Sequence, residues 1–198
     1  YNLFTARNGK EGFEQMKQEQ IDLVISDIMM PEMDGIAFCR LIKNDIETSH
    51  IPILLLTAKT QEEDRVVAYE SGADGFITKP FSLSVLQARV HNLLKARERN
   101  TRDFKKQLVF EANELNYTSL DESFLQKAIE LITENLGNSD FDQQQFLEAM
   151  GTSKSTLHLK IKSLTGLNTS GFIRNIRLKA ACRLMETKQH IRISELAY

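Results

Sequence analysis

Ile21-Asp22-Leu23-Val24-Ile25-Ser26 runs straight into Asp27 and the loop Ile28-Met29-Met30-Pro31-Glu32-Met33-Asp34-Gly35. A short apolar run closed by a turn signal reads as a strand buried on both faces. Ile53-Leu54-Leu55-Leu56-Thr57 is a second such run, and Asp74-Gly75-Phe76-Ile77-Thr78 is a shorter third. Helical spacing fills the intervals at about 9–19, 35–44 and 62–71, and a longer helix follows at about 82–97. Strands alternating with helices through short connections predict an α/β fold with a parallel sheet and helices on both faces. Pro31, Pro52 and Pro80, the three prolines of the chain, stand at loops or strand entrances.

In an open parallel sheet, ligands bind beyond the carboxyl ends of the strands. Asp27, Thr57 and Lys79 each stand at such an end. A carboxylate there can attack phosphorus, while a hydroxyl and an ammonium hold the oxygens on which charge accumulates. Asp27 alone reads equally well as a helix cap or a loop acid. The convergence of three such groups makes it a candidate phosphoryl acceptor.

The chain has 198 residues, of which 41% are apolar and 26% charged, enough for one large domain or two small ones. Two Cys exclude a disulfide scaffold, and no Cys/His cluster suggests zinc. The apolar runs fall far short of the roughly 20 residues that span a bilayer, so no membrane segment is expected. No secretion signal opens the chain, and a reducing, cytoplasmic setting is expected. The net charge of -2 hides an asymmetry. Residues 107–150 carry nine acids and one base, whereas 151–192 carry nine bases and one acid. That swing points to an anion-binding face near the C-terminus.

Residues 98–122 are polar and irregular, which predicts a linker between an N-terminal domain at 1–97 and an all-helical one at 123–198. In the second part, Phe124, Leu125, Ala128, Ile129, Leu131, Ile132 and Leu136 follow helical spacing. A short helix near 143–150 ends at Gly151. Ser153 then caps another helix that Gly166 stops, a long helix follows at about 170–188, and 193–198 opens one more. Leu157, Ile161 and Leu164 share one face and must turn inward, leaving Ser155, His158, Leu159 and Lys162 outward. Small polar and basic groups on an exposed helix face suit a DNA major groove.

Three motifs in order, Ser26-Asp27-Ile28-Met29-Met30-Pro31-Glu32-Met33-Asp34-Gly35, Leu56-Thr57-Ala58 and Gly72-Ala73-Asp74-Gly75-Phe76-Ile77-Thr78-Lys79-Pro80-Phe81, resemble the receiver domain of two-component response regulators. The resemblance implies a flavodoxin-like fold in which Asp27 is the phosphorylated aspartate. It makes Thr57 the switch hydroxyl, Phe76 the switch aromatic and Lys79 the phosphate partner, with a cis Lys79-Pro80 bond. It also implies Mg2+, held by Asp27 and the carbonyl of Met29 together with an acidic pair. That pair belongs to a first strand preceding the segment that Tyr1-Asn2-Leu3-Phe4-Thr5-Ala6 matches. The sequence is therefore expected to be a fragment whose residues 1–6 lack a neighbouring strand and whose metal site is incomplete.

The helical part, with Gly166, Phe172-Ile173, Arg177-Leu178-Lys179, Ala181 and Leu184-Met185, is similar to the AraC-type DNA-binding domain, its second helix-turn-helix unit cut short. By that resemblance DNA contacts would come from Lys154, Ser155, Thr156, His158, Leu159, Lys160 and Lys162. Leu159 stands where the family usually has Arg, and Thr169, a plausible helix cap, where it often has Pro. The expected function is a phosphorylation-controlled, DNA-binding transcription regulator. Its expected partners are DNA, a phosphodonor histidine kinase and a second copy joined through the face of helices 62–71 and 82–97. The alternative is the C-terminal part of a hybrid sensor with the kinase upstream in the same chain, often membrane-anchored. An aspartate-nucleophile phosphatase of the haloacid dehalogenase type is a remote rival, because the second Asp it needs is Met29 here.

Overall fold

The computed structural model describes residues 1–58, 70–106, 117–138 and 140–187. The chain divides into two compact units, Tyr1–Arg97 and Glu98–Tyr198.

The first unit contains α1 (Gly9–Gln18), β1 (Val24–Asp27), α2 (Gly35–Asn44), β2 (Ile53–Thr57) and β3 (Gly75–Thr78), followed by α3 (Leu83–Lys106), which runs on into the second unit's residues. The strands are parallel in the order β1-β2-β3, with Asp27 beside Leu56 and Thr57 beside Thr78. The side chain of Asn8 caps α1 by accepting from the N–H of Glu11, and Asp34 caps α2 by accepting from that of Ala37. The buried stripes of these two helices, Phe13 and Met16 with Phe38, Cys39 and Ile42, cover Ile53 and Leu55. Leu54 and Ile77, on the other face of the pleat, are buried too.

Burial on both faces holds for β2 and not for β1, where Ile25 is 43% exposed. β1 is an outer strand of the described sheet, with β2 as its one neighbouring strand there. It is Val24, not Ile25, that packs against the core of α1 and α2. Residues 1–6 form no strand, and Tyr1 and Leu3 are exposed. The expected helix at 62–71 lies outside the described residues apart from its end.

The second unit contains α4 (Ser119–Glu134), α5 (Gln143–Met150), α6 (Lys154–Thr165) and α7 (Thr169–Thr187). Thr118, Asp142 and Ser153 cap α4, α5 and α6 through side-chain oxygens. Gly151 and Gly166 end α5 and α6 in the left-handed region, at φ 69° and 65°. The core joins Leu125, Ala128 and Ile132 of α4 to Phe146, Leu157, Ile161 and Phe172. Phe172 stacks with Phe104 at 5.7 Å and with Phe146 at 6.4 Å.

Phe104 corrects the expected linker at 98–122. Helix α3 continues to Lys106, and α4 already starts at Ser119. The stretch is polar in composition, yet Phe104 is fully buried in the second unit, so the last turns of α3 belong to that core. Thr169 is likewise not a cap. Asn168 holds that place, its side-chain oxygen accepting from the N–H of Gly171, and Thr169 is the first residue of α7. The expected helix at 193–198 lies outside the described residues.

Candidate functional site

The end of β1 carries Asp27, the end of β2 carries Thr57, and Lys79 follows β3 directly. Parallel register brings these ends to one edge, and the N–H of Lys79 donates to the carbonyl of Thr57 at 2.7 Å. From there the Lys79 ammonium reaches across the sheet and forms an ion pair with Oδ2 of Asp27. The Met29 N–H approaches Oδ1 at 3.4 Å. The Lys79-Pro80 bond is cis. Thr57 is buried, and Phe76 is half-buried against the core under α1 and α2.

Burial by itself would raise the Asp27 carboxyl. The hydrogen bond from Lys79, the N–H of Met29, the Lys79 charge and the N–H of Ile28 together outweigh it and hold the group below its ordinary value. Asp27 is therefore an ionised carboxylate at neutral pH, as a nucleophile must be.

Gly35 has a role that composition does not disclose. Its N–H donates to the carbonyl of Ile28 at 2.9 Å, and a Cβ built on it would stand 2.2 Å from the Asp27 carbonyl oxygen. The loop after Asp27 folds back so tightly that only glycine fits. A further residue the sequence reading missed is Lys43. Buried on α2, it donates to the carbonyls of Ser49 and Ile51 and pairs with Asp74 at 2.7 Å, while Asp74 accepts from the N–H of Ile53. This cluster pins the entrances of β2 and β3, at the edge opposite Asp27.

Asp27 and the Met29 carbonyl are the magnesium donors that the resemblance assigns within this chain. Among the described residues no group of three His, Cys, Asp or Glu side chains could hold a metal. A hard cation that demands near-octahedral oxygen ligands is poorly served by one carboxylate and one carbonyl. The residues present do not make up a magnesium site by themselves.

On α6 the expected outward residues divide. Lys154, Ser155, Leu159 and Lys162 are exposed, and His158 is half-buried. Thr156 and Lys160 are buried and do not belong to an outer face. The Thr156 hydroxyl meets that of Ser153 at 2.7 Å. The Lys160 ammonium forms an ion pair with Oδ1 of Asp121 on α4. Close by in sequence to Asp121, the Tyr117 hydroxyl donates to the carbonyl of Leu164 at 2.9 Å, and burial, then the Asp121 charge, push its phenol up.

The basic stretch is also less free than its count suggests. Arg177 donates to the carbonyls of Phe141 and Asn138. Lys179 donates to the carbonyl of Phe104 at 2.6 Å and lies over its ring, and burial lowers its pKa. With Lys160, three of the nine bases serve the fold.

Residues 1–91 match the family model of the response regulator receiver domain. That stretch is a receiver domain with the flavodoxin-like parallel-sheet fold, followed by a helical remainder. Histidine kinase P4 of Formosa agariphila is 39% identical to this chain over all 198 residues, which make up 14% of that protein. The uncharacterized transcriptional regulatory protein YclJ of Bacillus subtilis is 47% identical over 88 residues, 44% of this chain and 37% of that one. The chain spans less than half the length of either relative. The signal receiver domain of a signal transduction histidine kinase from Syntrophus aciditrophicus, a solved structure, is 42% identical and covers 50% of this chain and 75% of that one, with a TM-score of 0.47. No helix among the described residues is long and apolar enough to cross a membrane.

Proposed function

We propose that Asp27 accepts a phosphoryl group from a histidine kinase and that the helical unit answers by binding DNA. The observation that carries the first half is the Lys79–Asp27 ion pair at the carboxyl edge of the sheet. A carboxylate oxygen of Asp27 attacks the phosphorus of a phosphohistidine. The new O–P bond gives an acyl phosphate, the P–N bond breaks, and the imidazole keeps the electron pair. Lys79 leaves the carboxylate and holds an oxygen of the incoming group. Thr57 and Phe76 are the switch pair: the hydroxyl moves toward the phosphoryl group and the aromatic ring fills the space vacated.

The DNA half rests on the capped α5–turn–α6 unit, with Ser155, Leu159 and Lys162 on its open face. DNA, a second copy of the chain and a cytoplasmic setting complete this reading. A second reading concerns the donor. Similarity to Histidine kinase P4 runs through both units, which favours a kinase in the same parent chain over a separate one. Phosphotransfer from a purified phosphorylated kinase domain to the full-length protein, followed by selection of bound duplexes from a random library, tests both halves. An Asp27→Asn chain that still accepts label refutes the first, and a chain that retains no duplex refutes the second.

A further inference from the structure

Helix α6 cannot roll about its axis. Leu157, Ile161 and Leu164 are buried along one side, and the Lys160–Asp121 ion pair, shut away from water, ties the adjacent strip to α4. Successive helical residues are about 100° apart, so Leu159 stands about 200° from Leu157 and is held outward. It is 48% exposed. Its neighbours on the open face are Ser155 at i−4 and Lys162 at i+3, both exposed, with Lys154 in the first turn.

A leucine fixed outward between a hydroxyl and an ammonium has no hydrogen bond to offer. Among the groups a major groove displays, one is apolar, the C5 methyl of thymine. The exposed ammonium groups of Lys162, about 60° around the helix from Leu159, and of Lys154 in the first turn are suited to phosphates that line such a groove. We propose that Leu159 is a specificity-determining residue that reads thymine through its methyl group, while Lys154 and Lys162 hold the backbone. The inference rests on the reading that the helical unit binds DNA, and it adds which base one side chain selects.

The test is a cycle between protein and base. The chain and its Leu159→Ala and Lys162→Ala variants each select duplexes from a random library. The best duplex of the unaltered chain is then remade with deoxyuridine in place of each selected thymine in turn. Burying one methyl contributes about fourfold in affinity. At one position, deoxyuridine weakens the unaltered chain about fourfold and leaves Leu159→Ala unchanged. Leu159→Ala also loses the thymine preference there and keeps its salt slope. Lys162→Ala weakens all duplexes alike and flattens the slope. Leu159→Ala unfolds at the same temperature as the unaltered chain, because the side chain is outside the core. Equal deoxyuridine penalties in both proteins would overturn the role of Leu159 while leaving DNA binding in place. Failure of the unaltered chain to retain any duplex would overturn DNA binding itself, and this inference with it.

Discussion

Lys160 on α6 and Asp121 on α4 form an ion pair whose side chains are 1% and 2% exposed. Two charges this deep are tolerated because each neutralises the other, and removal of either partner strands a buried charge. Lys160→Met should cost about 3–5 kcal/mol in denaturant unfolding of the chain. Lys160→Met combined with Asp121→Leu should recover most of that loss, since an apolar pair of similar volume carries no desolvation cost. A double variant as unstable as the single one would mean that the pair itself stabilises the unit.

Protonation of Asp27 offers a second check. Its folded-state pKa lies below the ordinary carboxylate value of about 3.9. The contribution of its ion pair to stability is therefore complete above about pH 4 and is lost as pH falls through the lowered value. Carboxyl NMR of the chain should show Asp27 titrating below the ordinary range, and Lys79→Ala should move the midpoint upward. An unchanged midpoint in that variant would remove Lys79 as the stabilising partner.

Gly35→Ala should disrupt the loop after β1. The added Cβ would meet the Asp27 carbonyl oxygen at 2.2 Å, and backbone cannot yield as a flexible side chain can. A loss of about 1–3 kcal/mol is expected in thermal or denaturant unfolding. Phosphoryl acceptance, if Asp27 carries it, should fall with it, because the shift displaces the Asp27 backbone.

Thr169→Pro should stabilise the helical unit. Thr169 is the first residue of α7, where a proline's fixed φ suits the helix and its missing N–H costs nothing. The Thr169 hydroxyl is buried with no hydrogen-bond partner among the described residues. Losing that orphan and stiffening the unfolded chain should add about 1 kcal/mol, read as a higher unfolding midpoint.

The candidate site was legible because strand ends are marked twice, by the close of an apolar run and by the polar residue that follows. Asp27, Thr57 and Lys79 needed only the rule that parallel strands share a carboxyl edge. Residues defined by three-dimensional contact were harder. Phe104 stands between Asp103 and Lys105 in a polar stretch, and nothing local says that it enters a core. Ile25 was expected to be buried because its run is apolar, but an outer strand receives less cover than β2.

Lys160 left a signal that was passed over. It lies about 60° from Leu157 on the helical wheel and about 40° beyond Leu164, at the border of the buried arc. Its charge drew it into the basic face. The charge swing overstated that face for the same reason, since Arg177 and Lys179 spend their donors on backbone carbonyls. Gly35 was visible only as part of a motif; the closeness of the Asp27 carbonyl explains why glycine stands there.

The most direct test of phosphoryl acceptance is intact-mass spectrometry after incubation with a phosphohistidine donor. The full-length protein should gain one phosphoryl group, and hydroxylamine should remove it, as expected for an acyl phosphate. This chain alone should label poorly, because its magnesium donors are incomplete. Asp27→Asn should gain none while keeping its circular dichroism. Undiminished labelling of Asp27→Asn, or a label that resists hydroxylamine, would contradict the assignment of Asp27 as the acceptor.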